Sequence, residues 1–259
     1  MSYGQEDALP IRPAQVTGGA LARVLLIAST MLLIAASDDA RYALERKALL
    51  AEIQRDAEQT ANATGRARFN ARVMGAMDAV PRHRFVPPRS VGSAYANRPL
   101  AIGHGQTISQ PYIVALMTEL LEPKPGDVML EVGTGSGYQA AVLAELVAQV
   151  YTIEIIAPLA ESATARLREL GYRNIQVKMG DGYYGWPERA PFDGIIVTAA
   201  ASSIPPPLVE QLKPGGRMVI PVGAPFYTQD LILLRKDAKG KVTTTSVLPV
   251  AFVPLTGDR

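Results

Sequence analysis

Apolar positions along the chain change rhythm twice. Val24 to Ala36 is almost wholly apolar, preceded by Arg23 and followed by Ser37-Asp38-Asp39. From Asp39 to Thr64 the chain is rich in Ala, Glu, Arg and Leu, good helix formers, and a helix is predicted there. A second helix is predicted over Phe69 to Ala79, where Val73, Met74 and Met77 share a face; it stops at Pro81. Pro87 and Pro88 then open a linker that reaches Pro99. From Pro111 onward short apolar runs alternate with stretches of helical spacing. Strands are predicted at Val128–Val132, Val150–Ile155, Ile175–Lys178 and Gly194–Thr198, and helices at Tyr112–Leu121, Gln139–Val147, Leu159–Leu170 and Leu208–Leu212. Such alternation implies an α/β fold with a Rossmann-like, doubly wound and mostly parallel sheet, covered on both faces. The later runs at Arg217–Pro221, Asp230–Arg235 and 246–252 have connections too short for parallel crossovers, so the sheet should end in an antiparallel hairpin. The chain thus divides into residues 1–39, a helical segment at 40–110, and the α/β core at 111–259.

The opening part carries two features. Its first 20 residues, with Pro10, Pro13, Gly18 and Gly19, read as unstructured. The apolar segment 24–36, about 13 residues long, fits a signal-peptide apolar region better than a membrane span of about 20. Ala35-Ala36-Ser37 offers small residues for cleavage. The other reading is a plain hydrophobic N-terminal helix or a misplaced start, so both a cytoplasmic and an exported or anchored protein stay open.

Composition narrows the chemistry. Hydrophobic residues make up 48% and charged residues 19%, which suits a globular core rather than disorder. A net charge of +2, without a stretch of Lys and Arg interleaved with aromatics, argues against a nucleic-acid partner. There is no cysteine, and the two histidines, His83 and His104, sit near Pro or Gly in loops. Disulfides, thiolate metal sites, Cys nucleophiles and His-rich zinc centres are excluded, and no metal is expected. Carboxylates, hydroxyls, backbone amides or a borrowed cofactor must do the work.

The first core strand ends in Glu131-Val132-Gly133-Thr134-Gly135-Ser136-Gly137, directly before a helix. Glycines there let the backbone turn tightly and a ligand approach closely. The spacing G-x-G-x-G departs from the dinucleotide fingerprint, whose third Gly would fall on Tyr138. An acid two residues before the first Gly suits a ligand with a cationic amino-acid tail better than a pyrophosphate. Glu154, ending the next strand about 20 residues on, stands where a carboxylate accepts hydrogen bonds from ribose hydroxyls. After the third strand, Gly180-Asp181-Gly182 suits the adenine edge or is an ordinary Gly-Asp turn. Asp193 either faces the same ligand edge or is a corner charge between helix and sheet. The joint pattern over about residues 125–222 resembles the class I S-adenosylmethionine methyltransferases.

Outside that core, Val80-Pro81-Arg82-His83-Arg84-Phe85-Val86-Pro87, Ala94-Tyr95, and Gly103-His104-Gly105-Gln106-Thr107-Ile108-Ser109-Gln110-Pro111 resemble the protein-L-isoaspartate O-methyltransferase family. So do Glu131 to Tyr138, Gly180-Asp181-Gly182 and Val253-Pro254-Leu255-Thr256-Gly257. The resemblance spans roughly residues 66–257. It implies methyl transfer from S-adenosyl-L-methionine to the α-carboxylate of isoaspartyl residues in damaged proteins. The ester then cyclises to a succinimide that reopens partly as aspartate. Cofactor-binding residues by this resemblance are Glu131, Gly133, Thr134, Gly135, Ser136, Gly137, Glu154, Ile155, Asp181 and Gly182. Ser109 matches the family's active-site serine, with Thr107, Ile108 and Gln110 around it on the substrate side. Ser109 also reads as a cap of the helix that begins near Pro111. Thr256 matches a position near cofactor and substrate, and alternatively reads as a strand-end residue.

Peptide substrate is expected to pair by main-chain hydrogen bonds with an edge near Val250 to Leu255. The stretch 40–68, longer and richer in Ala than the family's opening helix, leaves the lid on the substrate side open. A monomer is expected, since no heptad seam appears. The competing readings are a methyltransferase acting on a small molecule or RNA, which for RNA would need a basic cleft, and a non-catalytic cofactor-binding protein. The latter would disrupt the Ser109 segment or the glycine turn, and both are intact.

Overall fold

The computed structural model describes residues 18–224 and 226–257, with side chains from Ala40 onward. Two compact units form, one up to Leu44 and one over Glu45–Arg259. Helix α1, Gly18–Thr64, is continuous because no Gly or Pro occurs between residues 20 and 64. Residue 39, expected as a boundary, lies inside this helix. Residues 1–17 and the side chains of the apolar segment 24–36 lie outside the described residues. Among the described residues no helix is long and apolar enough to cross a membrane.

In the second unit α1 buries Leu49, Ile53 and Ala57, an i, i+4, i+8 stripe. Helix α2, Ala71–Ala79, begins two residues later than predicted because Asn70 caps it, its side chain accepting from the Arg72 amide at 2.9 Å. Short 3-10 turns follow at Arg82–Phe85 and Pro88–Ser93. Then comes a hairpin of β1, Leu100–Gly103, and β2, Gln106–Ile108. Its turn places His104 at φ 52° and Gly105 at φ 71°, the left-handed pair a two-residue hairpin turn requires. Strands of four and three residues are too short to register as a period-two pattern, which is why this hairpin was not predicted.

The core continues as α3 (Pro111–Leu121), β3 (Val128–Val132), α4 (Tyr138–Ala144), β4 (Gln149–Glu154), α5 (Ala157–Glu169), β5 (Ile175–Met179), β6 (Phe192–Val197), α6 (Pro206–Glu210), β7 (Leu212–Val222), β8 (Gln229–Lys236) and β9 (Val242–Val250). The seven-stranded sheet has the order β5-β4-β3-β6-β7-β8-β9. Its first five strands run parallel, and β8 and β9 add antiparallel, as the sequence pattern implied. Strands β7 and β9 begin well before their predicted starts. Leu212, predicted to end a helix, starts β7 because it pairs with Phe192 of β6. β9 begins at Val242, since Val242–Ser246 pair with β8 although they are exposed and show no apolar alternation.

Leu130, Val132, Ile153, Ile195, Val197, Met218 and Ile220 form one buried cluster across the sheet. Each such side chain stabilises the fold by roughly 1.5–3 kcal/mol. The parallel order brings the carboxyl ends of β3, β4 and β6 to one edge, the edge where open α/β sheets bind ligands.

Asp193 does not reach that edge. As the second residue of β6 it lies at the opposite end of the sheet, where it accepts from the Val128 amide at 2.8 Å and pairs with Lys213 Nζ at 2.8 Å. Its role is the corner charge. Asp193→Ala is expected to cost about 1–3 kcal/mol, the range for losing a charged acceptor from a backbone amide. The effect should appear as a lower urea midpoint with an unchanged slope; an unaltered midpoint would refute the assignment.

Candidate active site

The site begins where β3 ends. Gly133 adopts φ 99°, and a Cβ on it would stand 2.6 Å from Thr198 Oγ1. That hydroxyl donates to the Gly133 carbonyl at 2.7 Å, so only glycine fits. Gly137, at φ 87°, opens α4. Between them the turn is anchored on several sides. The amides of Gly133 and Thr134 donate to the Ile153 carbonyl at 2.9 and 3.2 Å. The Gly135 amide donates to Glu154 Oε2 at 2.7 Å, and Arg166 Nη1 donates to the Ser136 carbonyl at 2.9 Å. Glu154 Oε1 also accepts from the Ile156 amide at 3.0 Å. Its carboxylate therefore ties two loops together while each oxygen retains a further lone pair for a ligand.

Glu131 is fully buried on the penultimate position of β3. Its Oε2 accepts from Thr152 Oγ1 at 2.6 Å, and Thr152 lies 2.6 Å from Thr134 Oγ1. Oε1 is buried without a hydrogen-bond partner among the described residues. Burial pushes the carboxyl up to about 8, and the neighbouring Glu154 adds to this. The Thr152 hydroxyl and the nearby Ala140 amide oppose the rise, but the amide does not complete a hydrogen bond to Oε1. A carboxylate left this way fits a cationic hydrogen-bond donor, which would both occupy Oε1 and favour the ionised form.

These residues line a cleft of about 750 Å³, counted with its open mouth. Gln106 to Ser109 line it together with Glu131 to Ser136 and Ile153 to Ile156. Twelve residues singled out in the sequence meet there: Thr107, Ile108, Ser109, Glu131, Gly133, Thr134, Gly135, Ser136, Glu154, Ile155, Gly182 and Thr256. Three stand just behind the walls. Gln110 is the N-cap position of α3, and Gly137 opens α4. Asp181 caps a short 3-10 turn, accepting from the Tyr183 amide at 2.9 Å, and presses against Gly257. His83 shares a 2.9 Å hydrogen bond with Tyr95, and His104 sits in the hairpin turn; neither lines the cleft.

Of the two readings of Ser109, capping fails. Gln110 is the cap position and makes no side-chain cap bond. The Tyr112 amide instead donates to Asn97 Oδ1 at 3.0 Å, and Asn97 Nδ2 is held by Asp56 Oδ2 of α1 at 2.7 Å. Thr60 of α1 meets the Tyr112 hydroxyl at 2.5 Å. Ser109 is half-buried in the cleft wall, and its hydroxyl has no partner among the described residues.

The cleft also includes Tyr138 and Val253 to Leu255, which the resemblance covered without a cofactor role, and Thr198 and Ala199, which sequence reasoning missed. Thr198 ends a predicted strand at the ligand edge and was available to the same rule that found Glu154. Val253 to Leu255 are held at the cleft by Ala200. The Ala200 amide donates to the Val253 carbonyl and the Leu255 amide to the Ala200 carbonyl, both at 2.8 Å. The Phe252 amide is taken by Gln229 Oε1 at 2.8 Å, and Pro254 has none. Two amides and one carbonyl of the edge expected to pair with peptide substrate are thus taken within the fold.

A glycine turn and two carboxylates at the ends of adjacent central strands, facing a serine-bearing segment, define an S-adenosylmethionine-dependent methyltransferase fold of class I. The profile of the family described as protein-L-isoaspartate(D-aspartate) O-methyltransferase (PCMT) matches residues 59–259. A protein-L-isoaspartate O-methyltransferase 2 from Syntrophobacter fumaroxidans is 57% identical over 241 residues, 93% of this chain and 97% of that protein. One from Polaromonas sp. is 61% identical over 211 residues, 82% of this chain and 100% of that one. Among solved structures, a protein-L-isoaspartate O-methyltransferase superposes with a TM-score of 0.71 at 27% identity, over 82% of this chain and 66% of that one. A beta-aspartate methyltransferase (PCMT) structure from Plasmodium falciparum, in complex with S-adenosyl-L-homocysteine, superposes with a TM-score of 0.67 at 26% identity, over 82% and 98%. The chain belongs to the protein-L-isoaspartate O-methyltransferase family.

Burial of Glu131 makes stability depend on pH. Its folded pKa, about 8, lies above the ordinary value of 4.5, so between these values the ligand-free folded protein binds more protons than the unfolded chain. Stability should therefore fall as pH rises through that window, by up to about 1.4 kcal/mol per pH unit from this group. Urea unfolding of ligand-free protein at pH 5 to 8 is expected to show this slope, and Glu131→Gln to flatten it. Equal slopes in both proteins would contradict the assignment.

Proposed function

We propose that this cleft transfers a methyl group from S-adenosylmethionine to the α-carboxylate of an L-isoaspartyl residue in a damaged protein, with Ser109 at the point of transfer. The reading is supported by the meeting, in one cleft, of a Ser109 hydroxyl that caps nothing and a Glu131 carboxylate whose buried Oε1 lacks a partner. S-adenosylmethionine supplies a methyl group already activated on a sulfonium. A substrate carboxylate is already a nucleophile at neutral pH, so the chain needs no strong base. One carboxylate oxygen bonds to the methyl carbon as the carbon–sulfur bond breaks, leaving a methyl ester and S-adenosylhomocysteine.

The chain's own residues bind and align. Glu131 receives the ammonium of the cofactor's amino-acid tail, and Glu154 with Ile155 the ribose. Gly182, next to Asp181, would hold the adenine edge, and the turn from Gly133 through Thr134, Gly135 and Ser136 to Gly137 would admit the ligand against the backbone. Thr107, Ile108 and Gln110 present Ser109, whose hydroxyl holds the substrate carboxylate, and Thr256 closes the cleft from the C-terminal side. Alignment of oxygen, methyl and sulfur, with water kept out, is the enzyme's contribution. In this reading the chain acts as a monomer in the cytoplasm, where the cofactor is made.

Labelled S-adenosylmethionine offered with an isoaspartyl peptide and its aspartyl twin should methylate only the former. Equal transfer to both, or to neither, would move the acceptor to another chemical class. Ser109→Ala should lower kcat by about 10- to 100-fold, the loss of one transition-state hydrogen bond, with S-adenosylhomocysteine affinity within about threefold. Calorimetry in buffers of different ionisation enthalpy provides an independent check of Glu131. At pH 7 S-adenosylhomocysteine binding should release close to one proton, and Glu131→Gln should abolish that release.

A further inference from the structure

We infer that Arg82 is a positioning residue of the methyl-transfer reaction, its guanidinium locking the backbone of Ser109 against Tyr138 beside the glycine turn. The inference rests on the function proposed for the cleft. Arg82 lies in a 3-10 turn outside the sheet, does not line the cleft, and is 0% exposed. It has no carboxylate partner among the described residues. Nε donates to the Ala94 carbonyl at 2.9 Å and Nη2 to the Ser109 carbonyl at 2.8 Å, with a longer approach of Nη2 to the Arg98 carbonyl at 3.5 Å. Cζ stands 4.9 Å from the Tyr138 ring centroid. Nη1 is buried without a hydrogen-bond partner among the described residues.

Such an arrangement is a poor way to fill a core. An unpaired buried charge is costly, and an apolar side chain of similar length serves packing better. Burial pushes the guanidinium down to about 10, and the Tyr138 hydroxyl opposes that fall, so the group remains cationic at neutral pH. What a guanidinium alone provides is geometry. Its planar fork donates along two directions while its central carbon stands over an aromatic ring, a combination unavailable to lysine.

Those contacts fall on two separate stretches of chain, each with a residue in the cleft lining. Ser109 and Ala94 belong to the segment before the sheet. Tyr138 is the first residue of α4, comes directly after Gly137, and lines the cleft. The Tyr138 ring is held in turn by Phe85, edge-on at 5.5 Å between centroids. One rigid group therefore touches both the strand segment that presents the acceptor and the helix that carries the donor-side turn. With the Ser109 carbonyl fixed, rotation of its peptide plane is removed, and the direction of its side chain is fixed with it. Misplacement by about 1 Å costs on the order of 100-fold in rate.

The test compares wild type, Ser109→Ala, Arg82→Met and Arg82→Lys. The readouts are the thermal midpoint, S-adenosylhomocysteine affinity by calorimetry, and kcat and KM for an isoaspartyl peptide. Both Arg82 variants are expected to fold and to bind S-adenosylhomocysteine within about threefold of wild type. Their kcat should fall at least about 30-fold with KM changed far less, and lysine, keeping the charge without the fork, should restore less than about a tenth of the lost rate. A folded variant with kcat within about threefold of wild type would overturn the inference. So would parallel losses of kcat and S-adenosylhomocysteine affinity, or failure of both variants to fold, which would assign Arg82 to the framework. A wild-type protein inactive on the isoaspartyl peptide would overturn the acceptor assignment beneath it, and this inference with it.

Discussion

Strand β3 is hydrogen-bonded in parallel on both sides, so that Val132 stands opposite Ile153 of β4 and Val197 of β6. Three chain segments consequently leave the sheet at one level, and the loops after those strands have to share the space above β3. The Ile153 carbonyl, one step from the end of β4, captures the amides of Gly133 and Thr134. The Gly135 amide then reaches Glu154, and the Thr198 hydroxyl closes on Gly133 from β6. The glycine turn is thus less a flexible loop than a backbone forced into place by its two neighbours. The same crowding puts Glu131 out of reach of water, with one oxygen on Thr152 and the other unpartnered among the described residues.

The other half of the cleft is built from outside the sheet and depends on contacts of a different kind. Asn97 caps α3 at a distance, Asp56 holds Asn97, and Thr60 meets Tyr112. Since Asp56 and Thr60 belong to α1, that helix steadies the one next to Ser109. Arg82 reaches the same segment from the opposite direction. Placement of Ser109 therefore draws on α1, the 3-10 turn at Arg82 and α4 together, and its hydroxyl is spared for the cleft because a distant asparagine does the capping.

Much of this was legible along the chain because it obeys rules that act over a few residues. Apolar runs bounded by turn residues marked β3, β4, β5 and β6, and their alternation with helices implied a parallel sheet and hence a ligand edge. Glycines between a strand and a helix marked the turn, and acids at the ends of two such strands marked Glu131 and Glu154. The features that escaped lacked a local signature. The β1–β2 hairpin is too short for a period, and the exposed start of β9 has no apolar alternation.

The sequence by itself determined the order of elements, the end of the sheet at which a ligand sits and the residue types available there, since hydrophobic periodicity and glycine sterics act between near neighbours. Only the tertiary structure decided which competing use each polar side chain takes. Asp193 went to Lys213 and the Val128 amide at the far end of the sheet, and Ser109 was relieved of capping by Asn97, a residue 15 positions before Tyr112. A buried hydrogen-bonding group takes whichever partner packing brings within about 3 Å, and that partner is chosen by the whole fold rather than by the residues beside it in the chain.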